Sequence, residues 1–110
     1  MQSMYTTVSQ TRAFIRTSGF WSDVERDAFV SWIAQNPTAG DLIQGSGGLR
    51  KVRWGRSGSG KSGGARVVTY YLGDEGRVWL LVAYAKSKFD TLPTDVLVEL
   101  RKEIDNAQRP

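Results

Sequence analysis

The chain has no histidine and no cysteine among its 110 residues. Without imidazole it lacks the usual general base, the usual zinc ligand and every nucleophile triad built on histidine. Without thiols it has neither a disulfide framework nor a thiolate metal site. Any catalysis must draw on Lys, Arg, Tyr, Asp or Glu, and no cofactor or metal is expected. Long apolar runs are missing too: no stretch approaches the ~20 residues that cross a bilayer. The opening MQSMYTTVSQTRAF has neither the charged front nor the apolar core of a secretory signal. A cytoplasmic protein with no membrane partner is expected.

The last scarcity is local. Between Leu42 and Gly73 there is no acidic residue, yet Arg50, Lys51, Arg53, Arg56, Lys61 and Arg66 all fall there. These six cations exceed the net charge of +4 for the whole chain, so the rest is slightly acidic. A cationic surface concentrated in a glycine-rich segment is a place for a polyanion.

What is present is enough for one packed domain. Forty per cent of the side chains are hydrophobic, with four each of Trp, Tyr and Phe, so residues 1–110 are expected to share one modest core. Thr7 to Phe14 reads as a first strand, thin in apolar content and suited to a sheet edge. Ser22-Asp23-Val24-Glu25 is a capping-box pattern. Val24, Ala28, Phe29, Trp32 and Ile33 then recur at helical spacing, and Pro37 closes a helix over Ser22 to Gln35. Asp41-Leu42-Ile43 reads as a short turn, and Gly45 to Gly48 as a flexible lead-in.

Leu49 to Trp54 and Arg66 to Leu72 read as strands flanking a loop, Gly55 to Gly64, in which eight of ten residues are Gly or Ser. If Trp54 faces Ala65, Arg53 and Arg66 become neighbours on one face; a slip of one residue reverses this. Gly73 to Gly76 is a tight turn into Arg77 to Ala85, the most apolar strand, expected within the sheet. Pro93 opens a last helix, whose stripe of Val96, Leu97, Leu100 and Ile104 is expected on the sheet. The order predicts an α+β fold of about four strands, largely antiparallel, packed against an N-terminal and a C-terminal helix. One face of the sheet is expected to stay open.

Gly55 to Ser62 matches the phosphate-loop pattern G-x-x-x-x-G-K-[ST] letter for letter. That loop works only when a helix starts straight after it, so that the helix N-terminus meets the phosphates. Here a strand follows. The match is read as a hairpin loop.

A second pattern covers more of the chain. The run Asn36-Pro37-x-Ala39-Gly40-Asp41-x-Ile43-x-Gly45-x-Gly47-Gly48-Leu49-Arg50-Lys51-x-Arg53 resembles the RelE/HigB superfamily of bacterial toxins, in its HigB-like branch. The similarity continues through Gly60-Lys61-x-Gly63-Gly64-x-Arg66-Val67-Val68-x-Tyr70-Tyr71 and the strand ending Tyr84-x-Lys86. The resemblance implies a prokaryotic, ribosome-dependent mRNA endonuclease, with its RNA site on the concave sheet and a neutralising antitoxin, often of helix-turn-helix type. One departure is Ser62, where relatives usually carry a second basic residue.

Metal-free RNA cleavage drives a ribose 2′-hydroxyl against its neighbouring phosphate, and fixed cations aimed at the developing charge contribute most. Arg66 is the first candidate, because guanidinium binds two phosphate oxygens and stays charged. Lys61, Lys86 and Lys51 are candidates for proton transfer and backbone binding, since neighbouring cations favour a neutral amine. Tyr84 completes the catalytic set. Arg50, Lys51, Arg53, Arg56, Lys88 and Tyr70 are the candidate RNA- or ribosome-binding residues. Each has a bland counterpart: a strand-end cation, a solvated loop lysine, a core tyrosine. Tyr70 and Tyr71 point to opposite faces, so only one can meet RNA. Two other readings stay open: a toxin of the same fold acting on another target such as a topoisomerase, and an inactive nucleic-acid-binding accessory protein.

Overall fold

The computed structural model describes residues 6–55, 64–85 and 92–108. Among these residues five strands form one sheet: β1 (Thr7–Gln10), β2 (Asp41–Leu42), β3 (Leu49–Trp54), β4 (Ala65–Leu72) and β5 (Arg77–Ala85). Their order across the sheet is β1-β5-β4-β3-β2, with β1 parallel to β5 and the other pairs antiparallel. Three helices accompany them: α1 (Arg12–Thr17), α2 (Asp23–Gln35) and α3 (Thr94–Gln108). The architecture is α+β, as the element order predicts.

The first strand is shorter than its composition suggests. It ends at Gln10 because Thr11 caps a helix instead, its hydroxyl accepting from the Phe14 amide at 3.0 Å. The same hydroxyl lies 3.2 Å from the Leu80 carbonyl and 3.0 Å from that of Leu81. One buried side chain therefore turns the chain and ties it to β5. The strand's edge position agrees with its thin apolar content. Asp41–Leu42, read as a turn, is a two-residue strand set against Lys51 and Arg50.

The capping box of α2 forms in full: Ser22 accepts from the Glu25 amide and the Glu25 carboxylate accepts from the Ser22 amide. Phe29 and Ile33 are fully buried, but Val24, counted in the apolar stripe, is 79% exposed. Likewise Leu97, Leu100 and Ile104 of α3 are buried while Val96 stands 37% exposed.

Helices lie on both faces of the sheet, which corrects the expectation of one open side. Phe14, Trp21, Phe29 and Ile33 pack with Val52, Val67, Val78 and Leu80 on one face. Leu97, Leu100 and Ile104 pack with Leu49, Val68, Trp79 and Leu81 on the other. The apolar stripe of α3 requires this, since leaving it in water forfeits its burial. Among the described residues no helix is long and apolar enough to cross a membrane.

Candidate nucleic-acid interface

The hairpin of β3 and β4 closes with Trp54 opposite Ala65, which sets Arg53 directly opposite Arg66. On the other side of β4, Arg66 lies opposite Tyr84 of β5. Directly opposed residues project from the same face, with Cβ atoms about 5 Å apart. Arg53, Arg66 and Tyr84 therefore form a row across three strands. Lys51, two residues before Arg53 and opposite Val68, shares that face. It is the face that α3 packs against, because Val68 and Tyr84 belong to the same apolar cluster as Leu97 and Leu100.

Glycine at position 64 lets the hairpin close. Its φ is +71°, and a Cβ there would sit 2.5 Å from the Trp54 carbonyl oxygen. Only glycine meets both demands without moving the strand that carries Arg66.

The row is graded in burial. Arg53 is exposed, whereas Arg66 is 8% and Tyr84 6% exposed. Arg66 lies along the strand, its Nη1 donating to the Ala65 carbonyl at 3.4 Å. Burial pushes the Tyr84 hydroxyl above its ordinary pKa, and the positive charge of Arg66 offsets part of that rise. At neutral pH the phenol therefore keeps its proton beside a guanidinium. The arrangement offers fixed positive charge and a hydroxyl donor to an anion with a leaving oxygen.

The other candidates divide. Tyr70 shares the face of Arg66, and Tyr71 packs into the opposite cluster with α2, so Tyr70 is the tyrosine of the pair on this side. It is not bare. Arg101 of α3 stacks 4.4 Å from its ring centroid and donates to its hydroxyl at 3.3 Å. Arg50 points to the α2 face and donates to the Gly40 carbonyl at 3.1 Å. It stands apart from the row and holds the approach to β2. Arg56, Lys61, Lys86 and Lys88 lie outside the described residues.

Arg101 is the functional-looking residue that sequence reasoning missed. It falls four residues after Leu97 and three before Ile104, on the apolar stripe of α3. A cation at such a position is the signal that was available.

No protein-family model matches the sequence. Among solved structures, the chain is similar to a double arginine-to-alanine mutant of the E. coli toxin RelE in the free state. The match has a TM-score of 0.56 and 11% identity, and covers 96% of this chain and 100% of that one. At that identity the likeness establishes the fold: this is a RelE-like α+β domain, with five strands where about four were expected.

Proposed function

We propose that this protein is the toxin of a toxin–antitoxin pair, of the HigB-like branch, and that it cleaves translated mRNA on the ribosome. The observation that carries the reading is the row of Arg53, Arg66 and Tyr84 on one face of a RelE-like sheet. Folding alone disfavours two guanidiniums directly opposed across a hairpin. Two guanidinium forks side by side suit a phosphate, since each can hold two of its oxygens.

In the proposed reaction the ribose 2′-oxygen attacks the adjacent phosphorus while the bond to the 5′-oxygen breaks. The products are a 2′,3′-cyclic phosphate and a free 5′-hydroxyl. Arg66 and Arg53 stabilise the charge that gathers on the phosphoryl oxygens. Tyr84, held in its protonated form, gives its proton to the departing oxygen, which is far more basic than a phenolate. The 2′-hydroxyl proton goes to a lysine, Lys61 or Lys86 in the sequence reading. Lys51 binds the backbone of the message, together with Arg56 and Lys88. The ribosome supplies substrate orientation, so activity belongs in the cytoplasm. A cognate antitoxin, of helix-turn-helix type by resemblance, restrains the enzyme between episodes of use.

Mapping mRNA 5′ ends after brief induction tests the proposal. Wild-type protein should give cuts inside translated frames, and Arg66→Ala should abolish them. Intact mRNA accompanied by DNA damage would move the target to a topoisomerase. A folded, expressed protein that leaves both growth and mRNA untouched would end the toxin reading.

A further inference from the structure

Positive charge on the α3 face does not end at the row of Arg53 and Arg66. Along β4, Arg66, Val68 and Tyr70 alternate onto that face, so Tyr70 stands about 13 Å further down the strand than Arg66. Lys51, opposite Val68, falls between the two. Asp41 lies opposite Lys51 on β2 and bounds the line on its outer side. Arg101 comes to the far end from α3, its guanidinium 4.4 Å from the centre of the Tyr70 ring.

Packing alone gives little reason for a cation there. Leu97, Leu100 and Ile104 of the same helix enter the core, and an apolar side chain over Tyr70 would extend that contact. Arg101 instead donates to the Tyr70 hydroxyl at 3.3 Å and to the Asp105 carboxylate, one turn on, at 3.1 Å. Its side chain is still 34% open to water, and that of Asp105 59%. A planar cation backed by an aromatic ring and partly open to solvent is a platform on which an unstacked base can lie.

We propose that Arg101, seated on Tyr70, holds a nucleobase of the same RNA strand whose phosphate meets Arg53 and Arg66. Lys51 binds the backbone between them. RNA suits the site better than an acidic polypeptide, because a flat stacking surface accompanies the charge and a carboxylate would use the charge alone. Asp105 already fills the carboxylate's place. This role for Arg101 rests on the proposed reading of the face as an RNA site, and it needs no cleavage.

The probe is a fluorescein-labelled single-stranded RNA, methylated at every 2′-oxygen so that it cannot be cut, followed by anisotropy. A series of the same RNA lacks one base at a time. With wild-type protein, one position in the series should lower affinity by about tenfold. Arg101→Gln should weaken the intact RNA by a similar factor and lose its sensitivity to that position. Asp105→Asn should strengthen binding by roughly twofold, because it frees the guanidinium of a competing carboxylate. A purely structural Arg101 gives a different pattern: both variants break one ion pair, so both loosen α3 and weaken binding while sensitivity to the missing base persists. That pattern would overturn the proposal. So would wild-type affinity in Arg101→Gln beside weak binding by Arg53→Gln, which would leave the RNA reading of the row standing. Displacement of the RNA by a poly-glutamate peptide at the same concentration would assign the site to an acidic polypeptide instead. No binding of any RNA by wild-type protein would overturn both readings together.

Discussion

Arg53 and Arg66 oppose each other at one rung of the hairpin, and that rung sets function against stability. Replacing exposed Arg53 by Gln should raise unfolding free energy in urea by about 0.3 kcal/mol, since like charges no longer face each other. The same change should slow RNA cleavage. Tyr84 gives a second residue-scale test. Its folded pKa lies above the ordinary 10.0, so the folded state holds that proton more tightly than the unfolded chain. The resulting stability is fully present below about pH 10 and is lost as pH rises through the folded value. Urea midpoints of wild type should therefore fall more steeply above about pH 10 than those of Tyr84→Phe. At this scale the sequence offered the Arg53–Arg66 pairing as one of two registers, since a ten-residue loop does not fix how the hairpin closes, and the structure selects it. The sequence did not reveal Arg101. A contact with Tyr70 across 31 positions depends on how α3 is laid on the sheet, which no local pattern encodes.

Among the elements, the strong periodic ones were legible and the short ones were not. The full capping box and the pair Phe29 and Ile33 announce α2, and the apolar run of β5 announces an interior strand. Residues Thr7 to Phe14 mislead because threonine serves equally as a strand residue and as a helix cap; the structure uses Thr11 as the cap. Two paired residues, as in β2, are too few to show alternation at all. Thr11 joins α1 to β5 at the Leu80 and Leu81 carbonyls, so Thr11→Val should destabilise the fold by about 1–2 kcal/mol. Thermal or urea unfolding measures it. A loss below a few tenths of a kcal/mol would mean that the hydroxyl does not hold the junction.

For the whole molecule, four cations of the segment from Gly45 to Leu72 lie on described strands, Arg50, Lys51 and Arg53 on β3 and Arg66 on β4, and the fold sorts them. Lys51, Arg53 and Arg66 reach the α3 face, while Arg50 turns to the other and holds the Gly40 carbonyl. Charge in sequence is therefore not charge at one site, and pleat parity decides the difference. Titrating a single-stranded RNA oligonucleotide against salt should show this sorting. The slope of log affinity on log salt should flatten by roughly 0.7 for Arg53→Gln and scarcely change for Arg50→Gln. Equal flattening by both would mean that RNA does not distinguish the two faces.

In the proposed reaction everything turns on the Arg66 guanidinium stabilising charge on a ribonucleotide phosphate. Single-turnover cleavage of mRNA on purified ribosomes tests it most directly, with unfolding of each variant followed in parallel. Arg66→Ala should lower the cleavage rate by about 10²–10³-fold while remaining folded, and Arg66→Lys should fall between it and wild type. Cleavage by folded Arg66→Ala at the wild-type rate would remove Arg66 from the chemistry.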